Sequence, residues 1–236
     1  MLDDGGRILP TLPGAGGGGA AVLNKGLRFR VNQVRCIDET DPEIFGKDRI
    51  AMGGTATDDR ERTTMINQFT VGDFDDGDRV SYPPKVLKTF DLAGGTYPKT
   101  FFVVLALAEK DAGGFSDFLA DLFEAIKAEV TVIVTALGAV AGAAIGAAIG
   151  GSVGTVIGGP IGTIIGIAAG LILGALVGWL VDLAKDDLFE PQLAAIELPS
   201  ANFTFTGNTL VSPTLSATYA DFGGQYRVRY SWEVSR

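Results

Sequence analysis

The chain has no histidine and a single cysteine, Cys36. An intrachain disulfide is therefore excluded, and zinc sites and histidine-based catalytic relays lose their usual ligands and bases. Cys36 sits in a strand-like run and reads as a buried, inert thiol. No basic patch is present: 19 Lys and Arg stand against 28 Asp and Glu, for a net charge of −9. Nucleic acid is not an expected partner, because nothing is clustered to neutralise phosphates. Simple electrostatic docking on anionic lipid is disfavoured for the same reason. The start, "MLDDGGRILPTLPGAGGGGAAVLNKG", is acidic where a leader peptide is basic, and carries Pro and Gly in place of an apolar core. It is expected to be a flexible arm over 1–26, on a protein made in the cytoplasm without a signal peptide, then membrane-associated or released towards a target membrane.

The most telling absence is internal. From Val130 to Val181 there is no charged residue. Glycine recurs there at every fourth position: Gly138, Gly142, Gly146, Gly150, Gly154, Gly158, Gly162, Gly166, Gly170, Gly174 and Gly178. Glycine inside a helix costs about 1 kcal/mol relative to alanine, so this density requires a compensating gain. As one helix the 52 residues from 130 to 181 would reach about 78 Å, more than twice a bilayer core. Gly158, Gly159 and Pro160 offer a break near the middle, with Gly150–Gly151–Ser152 as the rival turn. Breaking at 158–160 leaves arms of about 28 and 21 residues, each long enough to span about 30 Å of hydrocarbon. Small residues four apart form a groove that lets a second backbone approach closely.

Around this run the pattern is β. "LRFRV" alternates Leu27, Phe29 and Val31 against Arg28 and Arg30, and the alternation then slips, which predicts a bulge near Asn32–Gln33. "DRIAMGG", "TTMINQFTV", "KVLKTF" and "KTFFVVLALAE" continue the strands, the last apolar on both faces. After the apolar run, "NFTFTGNTL" predicts a hairpin turning at Gly207–Asn208. "QYRVRYSWEV" places Tyr226, Val228, Tyr230, Trp232 and Val234 on one face. The amphipathic "GGFSDFLADLFEAIKAEV" predicts a helix capped near Ser116, lying on the sandwich or in a membrane interface.

The expected fold is α+β: an antiparallel β-sandwich, C2-like in outline, over 27–112 and 192–236, with an inserted glycine-zipper α-helical hairpin over 113–191. On its glycine period, 130–181 resembles glycine-zipper proteins, a group of membrane-inserting hairpins and self-assembling, toxin-like, pore-forming bacterial proteins. The resemblance concerns packing. It implies a transmembrane helical hairpin, lipid as a partner and homo-oligomerisation through the eleven glycines. The alternatives are an assembly protein whose hairpins pack inside a soluble multimer, and a passive membrane anchor for a β-sandwich binding module.

Two acidic loops complete the candidates. Asp38, Glu39, Asp41 and Asp48 follow the first strand, and Asp73 and Asp75 lie between later ones. Oxygen-rich loops at one end of a sandwich are suited to calcium, the one cofactor the sequence admits. Asp and Gly also simply make good turns. With no nucleophile or substrate cleft in the pattern, neither enzymatic activity nor a small-molecule substrate is expected.

Overall fold

The computed structural model describes residues 22–40, 46–110, 114–138, 147–149 and 187–236. Among the described residues ten strands form two antiparallel sheets. The first sheet is built from β1 (Gly26–Asp38), β4 (Arg79–Asp91), β9 (Leu215–Asp221) and β10 (Gly224–Ser235), in the order β4-β1-β10-β9. The second contains β2 (Asp48–Thr57), β3 (Thr63–Phe74), β5 (Lys99–Glu109), β6 (Ala147–Ile149) and β8 (Gln192–Leu198), in the order β3-β2-β5-β8-β6. A two-residue strand, β7 (Asp187–Leu188), pairs with the end of β5. The sequence signals for β1 and β10 are met in detail. The register slips at Asn32 in both pairings of β1, and Tyr226, Val228, Tyr230, Trp232 and Val234 are all buried. In contrast, "NFTFTGNTL" forms no extended hairpin. A tight turn at Thr206–Asn208 closes an isolated bridge between Phe205 and Thr209, with Gly207 and Asn208 at positive φ.

β5 explains why its sequence is apolar throughout. Phe101, Val103, Leu105 and Leu107 face the first sheet and join the main core with Phe29, Phe90 and Trp232. Phe102, Val104, Ala106 and Ala108 face the other way, into a second core beneath the helix α1 (Phe115–Gly138). That helix buries Phe115, Phe118, Leu119, Leu122 and Ile126 against this sheet. Burying each such side chain contributes about 1.5–3 kcal/mol, which seats the helix firmly on the sandwich. Gly53 makes the approach possible: a Cβ there would lie 2.5 Å from Leu119 Cδ1. At Gly54, φ is +155° and a Cβ would lie 2.0 Å from the carbonyl oxygen of Val104.

α1 starts beyond the end of β5 and runs the length of the sheet to the β2–β3 turn, where Thr131 Oγ1 donates to Glu61 Oε2 at 2.7 Å. The amphipathic stretch thus lies on the sandwich, one of the two placements its apolar face allows. The hairpin expected beyond it is corrected: α1 spans Phe115–Gly138, and Ala147–Ile149, within the expected first arm of about 28 residues, is a strand. Among the described residues there is one α-helix and no helical hairpin, and no helix is long and apolar enough to cross a membrane. The transmembrane helical hairpin is therefore withdrawn, and with it the fold class that contained it. The physical reason is the outer edge of β8, which offers unpaired backbone groups that Ala147–Ile149 satisfies, opposite Ala195, Ala194 and Leu193.

Candidate functional site

One end of the sandwich gathers the described acidic candidates singled out above. It is the end where β2 begins, β5 finishes and β10 begins. β6 runs towards this end, and β7 returns the chain to it, with Leu188 opposite Ala108 and Asp187 opposite Glu109. Residues 150–186, charge-free as far as Val181, therefore lie between two described strands that address the same end of one sheet.

At its centre is Asp48, 3% exposed. Tyr226 donates its hydroxyl to Asp48 Oδ2 at 2.5 Å, and the backbone N–H of Thr40 donates to the same oxygen at 2.9 Å. The Thr40 hydroxyl lies against Asp48 Oδ1, at 3.1 Å, and against Glu109 Oε2; with one proton, it donates to one carboxylate at a time. Among the described residues no Lys or Arg reaches Asp48 within ion-pair distance. Its carboxyl group is held, among the described residues, by hydroxyls and a backbone amide. Burial, and then the bond to Asp48, push the Tyr226 phenol far above its ordinary range, so it remains a donor at every accessible pH. Cys36 lies beside it. Burial raises the thiol to about 11, partly opposed by its contact with Tyr226 and reinforced by Asp48. It is a buried thiol with no nucleophilic character at neutral pH, as the strand pattern suggested.

The acidic loops separate into unlike roles. Asp73 pairs with Arg49 at 3.2 Å, and Lys47 bridges Asp75 and Asp78. Hydrogen bonds from the Asp75 backbone and from Lys47 hold the Asp78 carboxyl below its usual range. Asp76 accepts the backbone N–H of Glu39 at 2.9 Å, and Asp38 stands exposed at the end of β1. Lys47, Arg49, Asp73 and Lys110 line an open cleft of about 330 Å³. Of the acidic candidates, Asp73 and Asp75 are ion-pair partners and Asp48 is a buried hydrogen-bond acceptor, whereas Asp38 stands exposed and Glu39 is engaged through its backbone amide. Among the described residues no group of three or more potential metal ligands converges. Asp41 lies outside them.

Of the glycine series, Gly138 is the last residue of α1. Gly142, Gly146, Gly150, Gly154, Gly158, Gly159, Gly162, Gly166, Gly170, Gly174, Gly178 and the expected turn residue Pro160 lie outside the described residues. Sequence reasoning missed Thr40, Glu109 and Tyr226, which surround Asp48 from three distant segments with no local pattern to connect them. It also missed Phe222, whose only signal was its place in "ADFGGQ", a turn between two strands.

No protein-family model matches the chain, and no curated protein or solved structure matches it.

Proposed function

We propose that this chain is a membrane-inserting, self-oligomerising protein that permeabilises lipid bilayers, with the β-sandwich as a soluble scaffold and the segment 150–181 as its active surface. One observation carries the reading. A charge-free run of Gly, Ala, Ile, Leu and Val is tethered at both ends to a single end of a folded sheet, by β6 and β7. A scaffold that size has both of its cores already filled, by the two sheets and by α1, so a further apolar surface needs lipid or other copies to cover it. Glycine at every fourth position brings backbones into close approach, which favours association between copies where water is excluded. The partners in this reading are a lipid membrane and further copies of the chain. The similarity to glycine-zipper proteins supports self-association, in whatever conformation the segment takes.

A specific observation favours a second reading, a soluble assembly protein. The run's first part is claimed by protein: its opening residues belong to α1 and Ala147–Ile149 to the sheet. Dye release from protein-free liposomes separates the two. The membrane reading expects leakage that is lost when Gly146 and Gly166 are both replaced by Leu. Large soluble particles without flotation or leakage support the assembly reading and overturn this one.

A further inference from the structure

The β9–β10 turn at the same end carries a conformational anomaly. Phe222 and Gly223 have φ of +52° and +79°, the backbone of a tight hairpin turn whose first central position favours Asn, Asp or Gly. A bulky aromatic residue in the left-handed region is a genuine outlier, and one that a substitution to Asn would relieve. Part of the ring is accounted for by an edge-to-face contact with buried Phe189, at 6.1 Å between centroids. The rest is not: Phe222 remains 40% exposed, and among the described residues it is the large apolar side chain most exposed at this end. Phe189 directly follows β7, so the exposed ring stands beside the point where the chain returns from residues 150–186.

We propose that Phe222 is an interfacial anchor that places this end of the sandwich on a zwitterionic lipid surface. The inference rests on the membrane reading above and adds the contact residue and the lipid class. An aromatic ring on a rigid turn suits the headgroup boundary, where an apolar body meets a wet edge. Charge selects the lipid. The turn's own neighbour is Asp221, and Asp38, Asp76 and Glu190 are exposed at the same end without a Lys or Arg within ion-pair distance among the described residues. The exposed cations Arg35, Arg79 and Arg227 lie opposite one another on the first sheet, set back from the turn by the three residues of β10 that precede Arg227. With a net charge of −9 the protein gains nothing by approaching anionic lipid. A phosphatidylcholine surface imposes no such repulsion and still accepts the ring.

The test is partition of the full chain onto phosphatidylcholine vesicles, measured by flotation, for wild type, Phe222→Asn and Phe222→Trp. Asn keeps the turn and removes the ring, and partition is expected to fall about tenfold. Trp keeps the aromatic contact and is expected to restore partition; lipids carrying shallow nitroxide groups should quench it beyond the wild-type level. Replacing a third of the vesicle lipid by phosphatidylglycerol is expected to weaken binding at low salt. Equal partition of wild type and Phe222→Asn overturns the anchor and leaves the membrane reading standing. If Phe222→Asn does not fold, absence of extra quenching in Phe222→Trp overturns the anchor instead. Loss of self-association in lipid-free buffer, with partition unchanged, reassigns Phe222 to a protein contact. A wild type that does not partition overturns both ideas.

Discussion

The two ends of the sandwich solve the same problem in opposite ways. At the end where β5 begins, Lys99 is 1% exposed, and its ammonium donates to Asp59 Oδ2 at 2.9 Å and to the Leu92 carbonyl at 3.2 Å, with the Tyr97 ring 5.3 Å away. Charge is cancelled by charge, and the β2–β3 turn is fastened to the β4–β5 loop. At the end where β5 finishes, Asp48 is buried without a cation within ion-pair distance among the described residues, and is held by Tyr226 and Thr40. The first arrangement closes an end. The second fastens β1, β2 and β10 together beneath the place where residues 150–186 leave and return. In the proposed reading, the first end is structural and the second is the one that meets the surroundings.

The largest effect expected from breaking this contrast is at the closed end. Asp59→Ala leaves an ammonium buried without its counter-charge, and should cost about 3–5 kcal/mol in urea unfolding. Asp59→Asn, which keeps an acceptor, should cost less. At the open end, Tyr226→Phe removes a donor from a buried carboxylate and should cost about 1.5–3 kcal/mol. The contrast sharpens with Tyr230, four residues along the same face. Its hydroxyl is buried without a partner among the described residues. Tyr230→Phe should therefore be neutral or stabilising, by up to about 1 kcal/mol. Equal losses in Tyr226→Phe and Tyr230→Phe would show that ring packing, not the bond to Asp48, fastens this end.

A smaller effect is read from pH. The folded state holds the Cys36 thiol at about 11 against an ordinary value of 9.0, so above pH 9 the unfolded chain releases its proton first. Stability from this group is complete below pH 9 and declines as pH rises towards 11, at no more than about 1.4 kcal/mol per pH unit. Between pH 9 and 10 the decline should shrink in Cys36→Ala. Folded wild type should also resist thiol reagents at pH 8, and rapid labelling would contradict the burial of Cys36.

How much of this was legible in the sequence depends on how local the cause was. The alternation in β1 and β10, the two-faced apolarity of β5 and the bulge at Asn32 are set by neighbours in the chain, and periodicity reports them. The extent of the helix was not legible, because two distant features decide it. Gly53 opens the sheet to Leu119, and the edge of β8 recruits Ala147–Ile149 into a strand. A four-residue glycine period describes how helices pack when they form; it does not establish that they form. The Asp48 network was hidden for the same reason, since Thr40, Glu109 and Tyr226 meet only when the two sheets close. Acidic clustering suggested calcium, and it could not show that Asp73 and Asp75 pair with Arg49 and Lys47 while Asp48 turns inward to Tyr226.

The central claim is that the segment between β6 and β7 is the active surface and the sandwich its scaffold. Replacing residues 150–186 by a flexible linker of about ten residues, ample to join Ile149 to Asp187, tests it most directly. The account predicts a variant that keeps the β-sheet circular dichroism and cooperative unfolding of the full chain, stays monomeric, and neither floats with liposomes nor releases their dye. A folded variant that still assembles and still permeabilises vesicles like the full chain would contradict it.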